Sequence, residues 1–426
     1  MEYVYEKLII DYDKNLDHHG VNGVRLANRL SALSKIGRTV DGGSNRIGFS
    51  EEEKKAKYLI KKWMDDAGLI VSVDGAGNVI GRLEGKNPNL PAIFSGSHVD
   101  SVPNGGHFDG PLGVLAALEV VEAWKETGYI PERSFEIIVF TDEEGTRFNG
   151  GLIGSMSMVG EVKKEVLQDQ VDIYGVTFEE VLGNIGLSMD SLLSAKRDLS
   201  NIAAFVEVHI EQGKRLEKAG IPVGIVTGIA GPSWLEMNFT GIAGHAGNTP
   251  MDDRKDALVA ASQFIAELTS LPKQVSQTAV ATVGKLYVHP NGVNVIPGQV
   301  KLTVDIRDIH EKSRNELVNL IIEKATSICM NNHIKLEWKE TLRVDPVPIK
   351  EVMQDRLLKA ILANQIEPFY LPSGAGHDAM IMGRHIPAAM LFVQSKDGIS
   401  HNPLEWSSLN DCIQAVHVLK HFVESY

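Results

Sequence analysis

The sequence predicts an α/β protein with a mixed sheet, interrupted by an inserted α+β domain. Two observations indicate this fold. Strands and helices alternate up to about residue 218, and a β-α-β-β-α-β order follows from there. Alternation is typical of a sheet whose faces are covered by helices. The alternating pattern returns after about residue 344. The predicted segments are therefore 1–218 and 345–426, which together form the main domain, and 219–344, which forms the insert.

Helices and strands follow one another along the first segment. Residues 51–68 are amphipathic and stop at Gly68, so they predict a helix. The stretch LIVSVDGAGNVIGRLEG then predicts two strands around a glycine-rich turn. Two later apolar runs, PAIFSGSHVDS and SFEIIVFTDEEG, predict buried strands that end in polar residues. Because ligands gather where the strands of such sheets end, we expect functional side chains directly after these two runs.

The insert has its own strand and helix order. Its four predicted strands are WLEMNFTGI, TAVATVGKLYV, QVKLTVDIRD and HIKLEWKETLRV. One helix is predicted between the first two strands and another before the last, and we expect antiparallel pairing. After the insert, a helix, the strand AAMLFVQS and a final helix complete the main domain.

Composition excludes several classes of protein. The chain has 426 residues, too many for one ordinary core, and a formal net charge of −13. That charge argues against nucleic acid and anionic membranes as partners, but a local cation could still bind a small anionic substrate. Cys329 and Cys412 are far apart and predict reduced thiols. Acids interrupt the first apolar stretch and no run of about 18 apolar residues occurs, so we expect a soluble, cytoplasmic protein without a signal peptide.

Five short segments offer histidine nitrogen or carboxylate oxygen at predicted loop edges, ligands that suit zinc, manganese, cobalt or nickel. Each alone is weak evidence, since a lone histidine is more often structural. Together they predict a metal centre. The segments are Ser97-His98-Val99-Asp100, His107-Phe108-Asp109-Gly110, Thr141-Asp142-Glu143-Glu144-Gly145, Glu207-Val208-His209-Ile210-Glu211 and Ser400-His401-Asn402.

The spacing within two of these segments has a chemical meaning. Asp100 follows His98 by two residues, so its carboxylate can accept the histidine's other N–H and fix the ring's tautomer. Glu143 and Glu144 are adjacent, so their side chains leave the backbone in different directions. One can bind metal while the other faces water. A carboxylate that bridges two cations would hold them roughly 3.5–4 Å apart.

These segments resemble the amidohydrolase, hydantoinase and carbamoylase branch of the aminoacylase and carboxypeptidase clan. The resemblance runs from about residue 45 to the end of the sequence. Within the branch the chain is most similar to N-carbamoyl-L-amino acid hydrolases, with allantoate amidohydrolases as near kin. The peptidase side of the clan usually has an acid where this sequence has His209. The motifs are GSHVDSVPNGGHFDGPLGV, FTDEEGTRF, VEVHIEQG, GHAGNTPMDDRKD, NVIPG and SHNPLEWS.

The resemblance implies two divalent metal ions per subunit. His98, Asp109 and His209 would hold one ion, and Asp109, Glu144 and His401 the other, so that Asp109 bridges them. Glu143 would be the general base, taking a proton from the bridging water and later passing it to the leaving nitrogen.

The resemblance also implies that the insert is a lid and forms a homodimer. It assigns His245 and Asn294 to the scissile carbonyl, with His245 donating to the developing oxyanion, and Arg307 to the substrate carboxylate. From the residues alone, Arg307 could equally pair with Asp305 or Asp308. Gln212 and His377 are further candidates for the substrate pocket.

The function expected from this resemblance is hydrolysis of the carbamoyl (ureido) C–N bond of N-carbamoyl-L-amino acids. The products would be the L-amino acid, ammonia and CO2. Three alternatives stay open at this point: an allantoate amidohydrolase, an N-acyl amino acid deacylase or peptidase, and a non-catalytic binding protein that kept the fold. The last predicts loss of the base or of a ligand, yet all six positions are present.

Overall fold

The computed structural model describes residues 3–426, so the first two residues of the predicted segment 1–218 lie outside it. The chain forms two compact units. The first comprises Met1–Val226, Ile349–Leu371 and His377–Tyr426, and the second comprises Thr227–Pro348 and Pro372–Gly376. The sequence pattern gives no reason to separate 372–376 from its surroundings. Over the described residues, no helix is both long and apolar enough to cross a membrane.

Fifteen α-helices occur in the described part of the chain, besides short 3-10 turns. They are α1 Tyr3–Ile9, α2 Gly23–Leu33, α3 Glu51–Ala67, α4 Pro111–Thr127, α5 Ile153–Val159, α6 Lys164–Leu167, α7 Phe178–Asn184, α8 Met189–Ser194, α9 Arg215–Ala219, α10 Ala257–Leu268, α11 Pro272–Val275, α12 Glu311–Asn331, α13 Glu351–Ala363, α14 Asp378–His385 and α15 Leu409–Glu424.

Fifteen strands lie between these helices over residues 3–426. They are β1 Ile70–Val73, β2 Val79–Leu83, β3 Ala92–His98, β4 Phe135–Phe140, β5 Ile202–Ile210, β6 Val223–Ile229, β7 Gly231–Thr240, β8 Gly244–His245, β9 Val280–His289, β10 Val295–Ile296, β11 Gln299–Asp308, β12 Lys335–Arg343, β13 Val347–Pro348, β14 Tyr370–Ser373 and β15 Ala388–Val393.

The first unit is built on a mixed sheet, as predicted. Its strands lie in the order β1-β2-β4-β3-β5-β15-β6. Strands β3, β4, β5 and β15 pair in parallel, whereas β1, β2 and β6 join antiparallel. Every residue of β3 and β4 is buried, as expected for parallel strands covered on both faces. The apolar helix α4 packs on β3 and is itself covered by α15.

The parallel strands determine where the polar loops meet. Because β3, β4 and β5 run in the same direction, their carboxyl ends share one edge of the sheet. His98 is the last residue of β3, His209 is the next-to-last residue of β5, and residues 141–144 follow β4 directly. Three of the predicted ligand segments therefore converge at this edge.

The second unit has a four-stranded antiparallel sheet in the order β12-β7-β11-β9. Helices α10 and α12 pack against one face of it. Burial alternates along β7 and β11, because every second side chain points into the core between the sheet and the helices. The predicted β-α-β-β-α-β order of the insert is confirmed by the order β7, α10, β9, β11, α12, β12.

Candidate active site

The first group of candidate ligands is fully buried and consists of His98, Asp109 and His209. Asp109 Oδ1 lies 3.1 Å from His209 Nε2 and 3.8 Å from His98 Nε2. Within the described residues neither Nε2 atom makes a hydrogen bond, although both are shielded from water. Buried nitrogens are rarely left without a partner, so this pair fits a bound cation.

Backbone carbonyls set the tautomer of both histidines. His98 Nδ1 lies 3.1 Å from the Asp100 carbonyl oxygen, and His209 Nδ1 lies 3.0 Å from that of Ile210. A carbonyl only accepts, so each Nδ1 carries the hydrogen and donates it. When the rings are neutral, each Nε2 is then left with the lone pair that a metal ligand needs.

The second group consists of Asp109, Glu144 and His401. His401 Nε2 lies 3.3 Å from Asp109 Oδ2 and 3.4 Å from Glu144 Oε2. Glu144 Oε1 is buried without a hydrogen-bond partner among the described residues. Asp109 thus presents Oδ1 to the first group and Oδ2 to the second. This is the arrangement that a bridging carboxylate requires.

Glu143 lies beside the first group and belongs to neither group. Its Oε2 is 3.6 Å from His98 Nε2. The backbone N–H groups of Glu143 and Glu144 donate to the two carboxylate oxygens of Asp100, at 3.2 and 3.1 Å. Asp100 Oδ1 also lies 3.4 Å from His98 Nδ1, farther than the Asp100 carbonyl. The Asp100 carboxylate therefore holds the loop of Glu143 and Glu144 and also lies near His98. The sequence did not indicate its contact with this loop.

The cluster concentrates buried carboxylates. Burial raises the pKa of Glu143 well above its usual range, with His98 opposing the rise and Glu144 adding to it. Burial and then Asp109 raise the pKa of Glu144 to about 8. Burial alone would lower the pKa of His98, but Glu143 and Asp100 outweigh it and hold that pKa well above its usual value. Such a cluster is short of positive charge, which a cation would supply.

Three residues of the site loops have left-handed backbones although none is glycine. They are Asp142 with φ 53°, Gln212 with φ 57° and His401 with φ 54°. Such conformations cost free energy and persist where the surroundings enforce them, commonly at functional sites. Here they turn the chain directly before Glu143, after β5 and at a candidate ligand.

Gln212 and His377 lie next to the candidate ligands. Gln212 Nε2 donates to Asp109 Oδ2 at 2.8 Å and lies 3.4 Å from His401 Nε2. The ring of His377 is 4.4 Å from that of His209. Burial and the neighbouring His209 lower the pKa of His377 well below its usual value. His377 is 1% exposed, so a substrate contact by this residue stays a prediction.

His107 belongs to a predicted ligand segment but is held elsewhere. Its Nδ1 lies 2.8 Å from Ser44 Oγ and its Nε2 lies 3.0 Å from the Gly42 carbonyl oxygen. Both nitrogens therefore have protein partners. This segment brings Asp109 alone to the candidate site.

His245 and Asn294 are neighbours in the second unit. Strands β8 and β10 pair His245 with Val295, and Ala246 N–H donates to the Asn294 carbonyl at 3.0 Å. His245 Nδ1 accepts from the backbone N–H groups of Gly247 and Asn248, at 3.1 and 3.2 Å. A neutral His245 ring therefore carries its hydrogen on Nε2 and can donate from there.

Arg307 forms an ion pair with Asp305, which is one of the two pairings that the residues alone left open. Its Nη2 and Nε donate to the Asp305 carboxylate, at 2.8 and 3.0 Å, and its Nη1 donates to the Gly374 carbonyl at 2.7 Å. The Asp308 carboxylate instead accepts from Ile309 N–H and Ser313 Oγ. The Arg307 side chain remains 32% exposed, so its remaining N–H groups can reach a ligand.

Two buried glutamates, Glu207 and Glu405, lie inside the motifs shared with the family, but no role of their own was predicted for either. Glu207 accepts from Ser97 Oγ at 2.7 Å and from Ala379 N–H at 2.8 Å, and lies within reach of His209 and His377. Glu405 accepts from Phe108 and Asp109. The sequence signal for both was an acidic residue inside the motifs VEVHIEQG and SHNPLEWS. The sequence alone could not show which groups these acids contact.

The mixed sheet and the two ligand groups that share Asp109 define the class of protein: an α/β fold with a candidate metal centre rich in histidine and carboxylate. The sequence profile of peptidase family M20/M25/M40 matches residues 94–425. The chain belongs to this family.

Individual relatives agree with this assignment. The chain is 43% identical over 403 residues to an N-carbamoyl-L-amino acid amidohydrolase of Geobacillus stearothermophilus, covering 95% of this chain and 98% of that one. It is 38% identical over 376 residues to an allantoate amidohydrolase of Bacillus subtilis (strain 168), covering 88% and 91%. An amidase of the hydantoinase/carbamoylase family from Burkholderia multivorans superposes with a TM-score of 0.89 at 34% identity, covering 95% and 98%. The predicted family and fold class are confirmed.

Proposed function

We propose that this chain hydrolyses the carbamoyl C–N bond of N-carbamoyl-L-amino acids, yielding the L-amino acid, ammonia and CO2. The observation that carries the proposal is the pair of ligand groups that share Asp109, with Glu143 free beside them. The likeness to an N-carbamoyl-L-amino acid amidohydrolase at 43% identity over nearly the whole chain supports the choice of substrate.

The residues present fit two divalent cations. His98, Asp109 and His209 would hold one, and Asp109, Glu144 and His401 the other. The free Nε2 atoms of His98 and His209 support this, as does the partnerless Glu144 Oε1 within the described residues. When bound, the cations would supply Lewis acidity at the scissile carbonyl and lower the pKa of a water. Zinc, manganese, cobalt and nickel all suit this mixture of nitrogen and oxygen donors.

Glu143 is the general base in this proposal. Its Oε2 lies 3.6 Å from His98 Nε2, and Glu143 belongs to neither ligand group. It takes a proton from the attacking water and passes it to the leaving nitrogen. Burial raises its pKa well above the usual range, and a carboxylate that binds protons more readily is better matched to proton transfer near neutral pH.

His245 and Asn294 act on the carbonyl, and Arg307 binds the carboxylate. The Nε2–H of neutral His245 is suited to donate to a developing oxyanion because its Nδ1 is already occupied by backbone donors. Asp305 fixes the plane of the Arg307 guanidinium, which prepares its remaining N–H groups for a planar carboxylate. Gln212 would contact the substrate beside Asp109 and His401.

Allantoate is the second candidate substrate, because a relative at 38% identity over 91% of its length is an allantoate amidohydrolase. Allantoate also carries a carboxylate and ureido groups, so the same residues would serve it. Deacylation of N-acyl amino acids or peptide hydrolysis is less well supported, since His209 stands where peptidase relatives usually have an acid.

An ammonia-release assay separates these substrates. The purified chain, loaded with Mn²⁺ or Co²⁺, is supplied with N-carbamoyl-L-amino acids, allantoate and N-acetyl amino acids in parallel, with amino acid release measured for the last. We expect the highest kcat/KM on an N-carbamoyl-L-amino acid. A preference of tenfold or more for allantoate would transfer the proposal to the second candidate, and activity on N-acetyl substrates alone would overturn both.

We also propose that two copies pair through the second unit and that the protein works in the cytoplasm. Strand β9 lies at one edge of the four-stranded sheet and exposes Leu286 and Tyr287. An edge strand with apolar side chains readily pairs with another chain. Cys329 and Cys412 are both buried and unpaired, as expected in a reducing compartment. Light scattering tests the pairing: Tyr287→Lys should shift the mass from dimer toward monomer.

A further inference from the structure

Glu405 holds the backbone of the loop that carries Asp109. It is 2% exposed and lies between His401 and α15. Its Oε1 accepts from the backbone N–H of Phe108 at 2.9 Å and from that of Asp109 at 3.1 Å. One oxygen atom of Glu405 therefore fixes the loop at the residue that both ligand groups share.

The other oxygen of Glu405 reaches the same aspartate through a serine. Ser400 Oγ lies 2.9 Å from Glu405 Oε2 and 2.8 Å from Asp109 Oδ2. Asp109 Oδ2 is the oxygen that faces His401. Ser400 precedes His401 directly, so this chain of contacts joins the position of the His401 loop to that of the Asp109 carboxylate.

The loop around Asp109 is shaped to admit the Glu405 carboxylate. A Cβ atom at Gly106 would lie 2.0 Å from Cδ and Oε1 of Glu405, so a side chain at this position would displace the carboxylate from its place. In the part of the chain that the structure describes, no lysine or arginine pairs with Glu405 within 4.0 Å. The hydrogen-bond partners of its carboxylate all belong to the two ligand loops.

Glu136 shows what a buried glutamate with a purely structural role looks like in this fold. It is 1% exposed, and Arg82 and Arg197 neutralise it, at 2.6 and 2.7 Å. Glu405 differs because its contacts go to backbone and hydroxyl groups of ligand loops. A carboxylate placed in this way orients other groups rather than cancelling a charge.

We propose that Glu405 is a positioning residue for the second ligand group. Through Oε1 it fixes the Asp109 backbone, and through Ser400 it fixes the relation of Asp109 Oδ2 to His401. The inference rests on the proposed function only in that it takes these groups to be cation sites. Partners that orient metal ligands are commonly worth about 10–100-fold in metal affinity.

Titration of metal-free protein with Co²⁺, followed by calorimetry and by visible absorption, tests the proposal without reference to turnover. His401→Ala identifies the binding step that belongs to the second group. We expect Glu405→Ala to weaken that step about 10–100-fold and the other step less. Glu405→Gln should stay within about threefold of wild type, because its amide oxygen can accept both N–H groups and its amide nitrogen can donate to Ser400 Oγ.

Ser400→Ala and Glu136→Ala complete the set. Ser400→Ala removes only the contact through the serine hydroxyl to Asp109 Oδ2, and it should weaken Co²⁺ binding at the second group. Glu136→Ala should lower the melting temperature and leave both Co²⁺ affinities unchanged. Unchanged affinities in Glu405→Ala and Ser400→Ala would overturn the proposal, as would an equal loss in Glu136→Ala. If Glu405→Ala does not fold, Ser400→Ala decides alone.

The kinetic result separates this proposal from the proposed function. On the best substrate of the ammonia assay, Glu405→Ala should lower kcat with KM within about threefold, since Glu405 does not touch the substrate. A wild-type chain that binds two Co²⁺ ions but hydrolyses none of the substrates would overturn the proposed function. The Co²⁺ affinities of the variants would still decide the role of Glu405.

Discussion

Glu143 and Glu144 are adjacent in the chain, yet the structure gives them different surroundings. Glu144 shares a ligand group with Asp109 and His401, whereas Glu143 faces His98 Nε2 from outside that group. We expect Glu143→Gln to keep its metal content and to lose about 10²–10⁴ in kcat, or roughly 3–5 kcal/mol of barrier lowering. Elemental analysis and turnover of the same sample check both parts. Activity within threefold of wild type would show that Glu143 is not the base.

Asp109 is the residue whose loss should affect both cations. Its two oxygens face different ligand groups, while His209 and His401 each belong to one side. We expect Asp109→Ala to lower the metal content by up to two ions per chain, and His209→Ala or His401→Ala by about one. Equilibrium dialysis against Mn²⁺ or Zn²⁺ measures this directly. Equal metal content in Asp109→Ala and His401→Ala would contradict a shared carboxylate.

The residues that could be predicted from sequence are those whose chemistry is visible in their type. Five short segments rich in histidine and carboxylate predicted a metal centre, and the family resemblance then singled out His98, Asp109, Glu144, His209 and His401 as its ligands. The structure brings these five residues into two groups. The contacts of Asp100 and Glu405 could not be predicted. They are made to backbone N–H groups of distant loops, and nothing in a residue's type shows which backbone it will reach.

Helix α15 packs against an N-terminal segment through histidines, which gives this contact a pH dependence. His417 Nε2–H donates to the Leu16 carbonyl at 2.8 Å, and the His417 ring stacks on that of His18 at 4.0 Å between centroids. Burial lowers the pKa of His417 to about 4, with His18 adding to the effect. The folded state therefore keeps His417 neutral at pH values where the unfolded chain protonates it.

The sign of the effect follows from linkage. Below about pH 6.5, His417 takes up a proton in the unfolded chain but not in the folded one. The free energy of unfolding therefore falls between about pH 6.5 and 4. We expect His417→Gln, which keeps a donor for Leu16 but does not titrate, to lose about 2–3 kcal/mol less of its free energy of unfolding over that range. Urea denaturation of metal-free protein at several pH values measures this. If the free energy of unfolding depended on pH in the same way in wild type and variant, His417 would not be the group responsible.

At the scale of elements, the pattern of apolar residues was enough to predict the main strands of the second unit and helix α4. The strands of the second unit alternate in burial as their sequences do, and α4 is apolar because it is enclosed by β3 and α15. Helices α5 to α8 were not predicted. They are four to seven residues long and gain their stability from a shared small core around Phe49 and Phe178, which no local period reveals.

For the whole molecule, the net charge of −13 poses a problem for an anionic substrate. The field of the protein repels such a molecule, so binding requires a cation placed where the carboxylate is held. Arg307 is suited to this role because Asp305 and the Gly374 carbonyl fix its guanidinium while the side chain stays 32% exposed. We therefore expect the substrate to need a free α-carboxylate and the L configuration.

Arg307→Lys and a neutral substrate test that expectation together. A lysine keeps the charge but loses the planar fork, so we expect KM to rise about tenfold or more and kcat to fall as well, because misplacement costs orientation in addition to affinity. An N-carbamoyl amino acid amide, which lacks the carboxylate, should be a poor substrate for the wild type and should distinguish little between wild type and Arg307→Lys. Added salt should raise KM for the acid but not for the amide, since only the acid is charged. If the wild type turned over acid and amide comparably, the carboxylate would have no partner in this protein and Arg307 would be left with the ion pair to Asp305 alone.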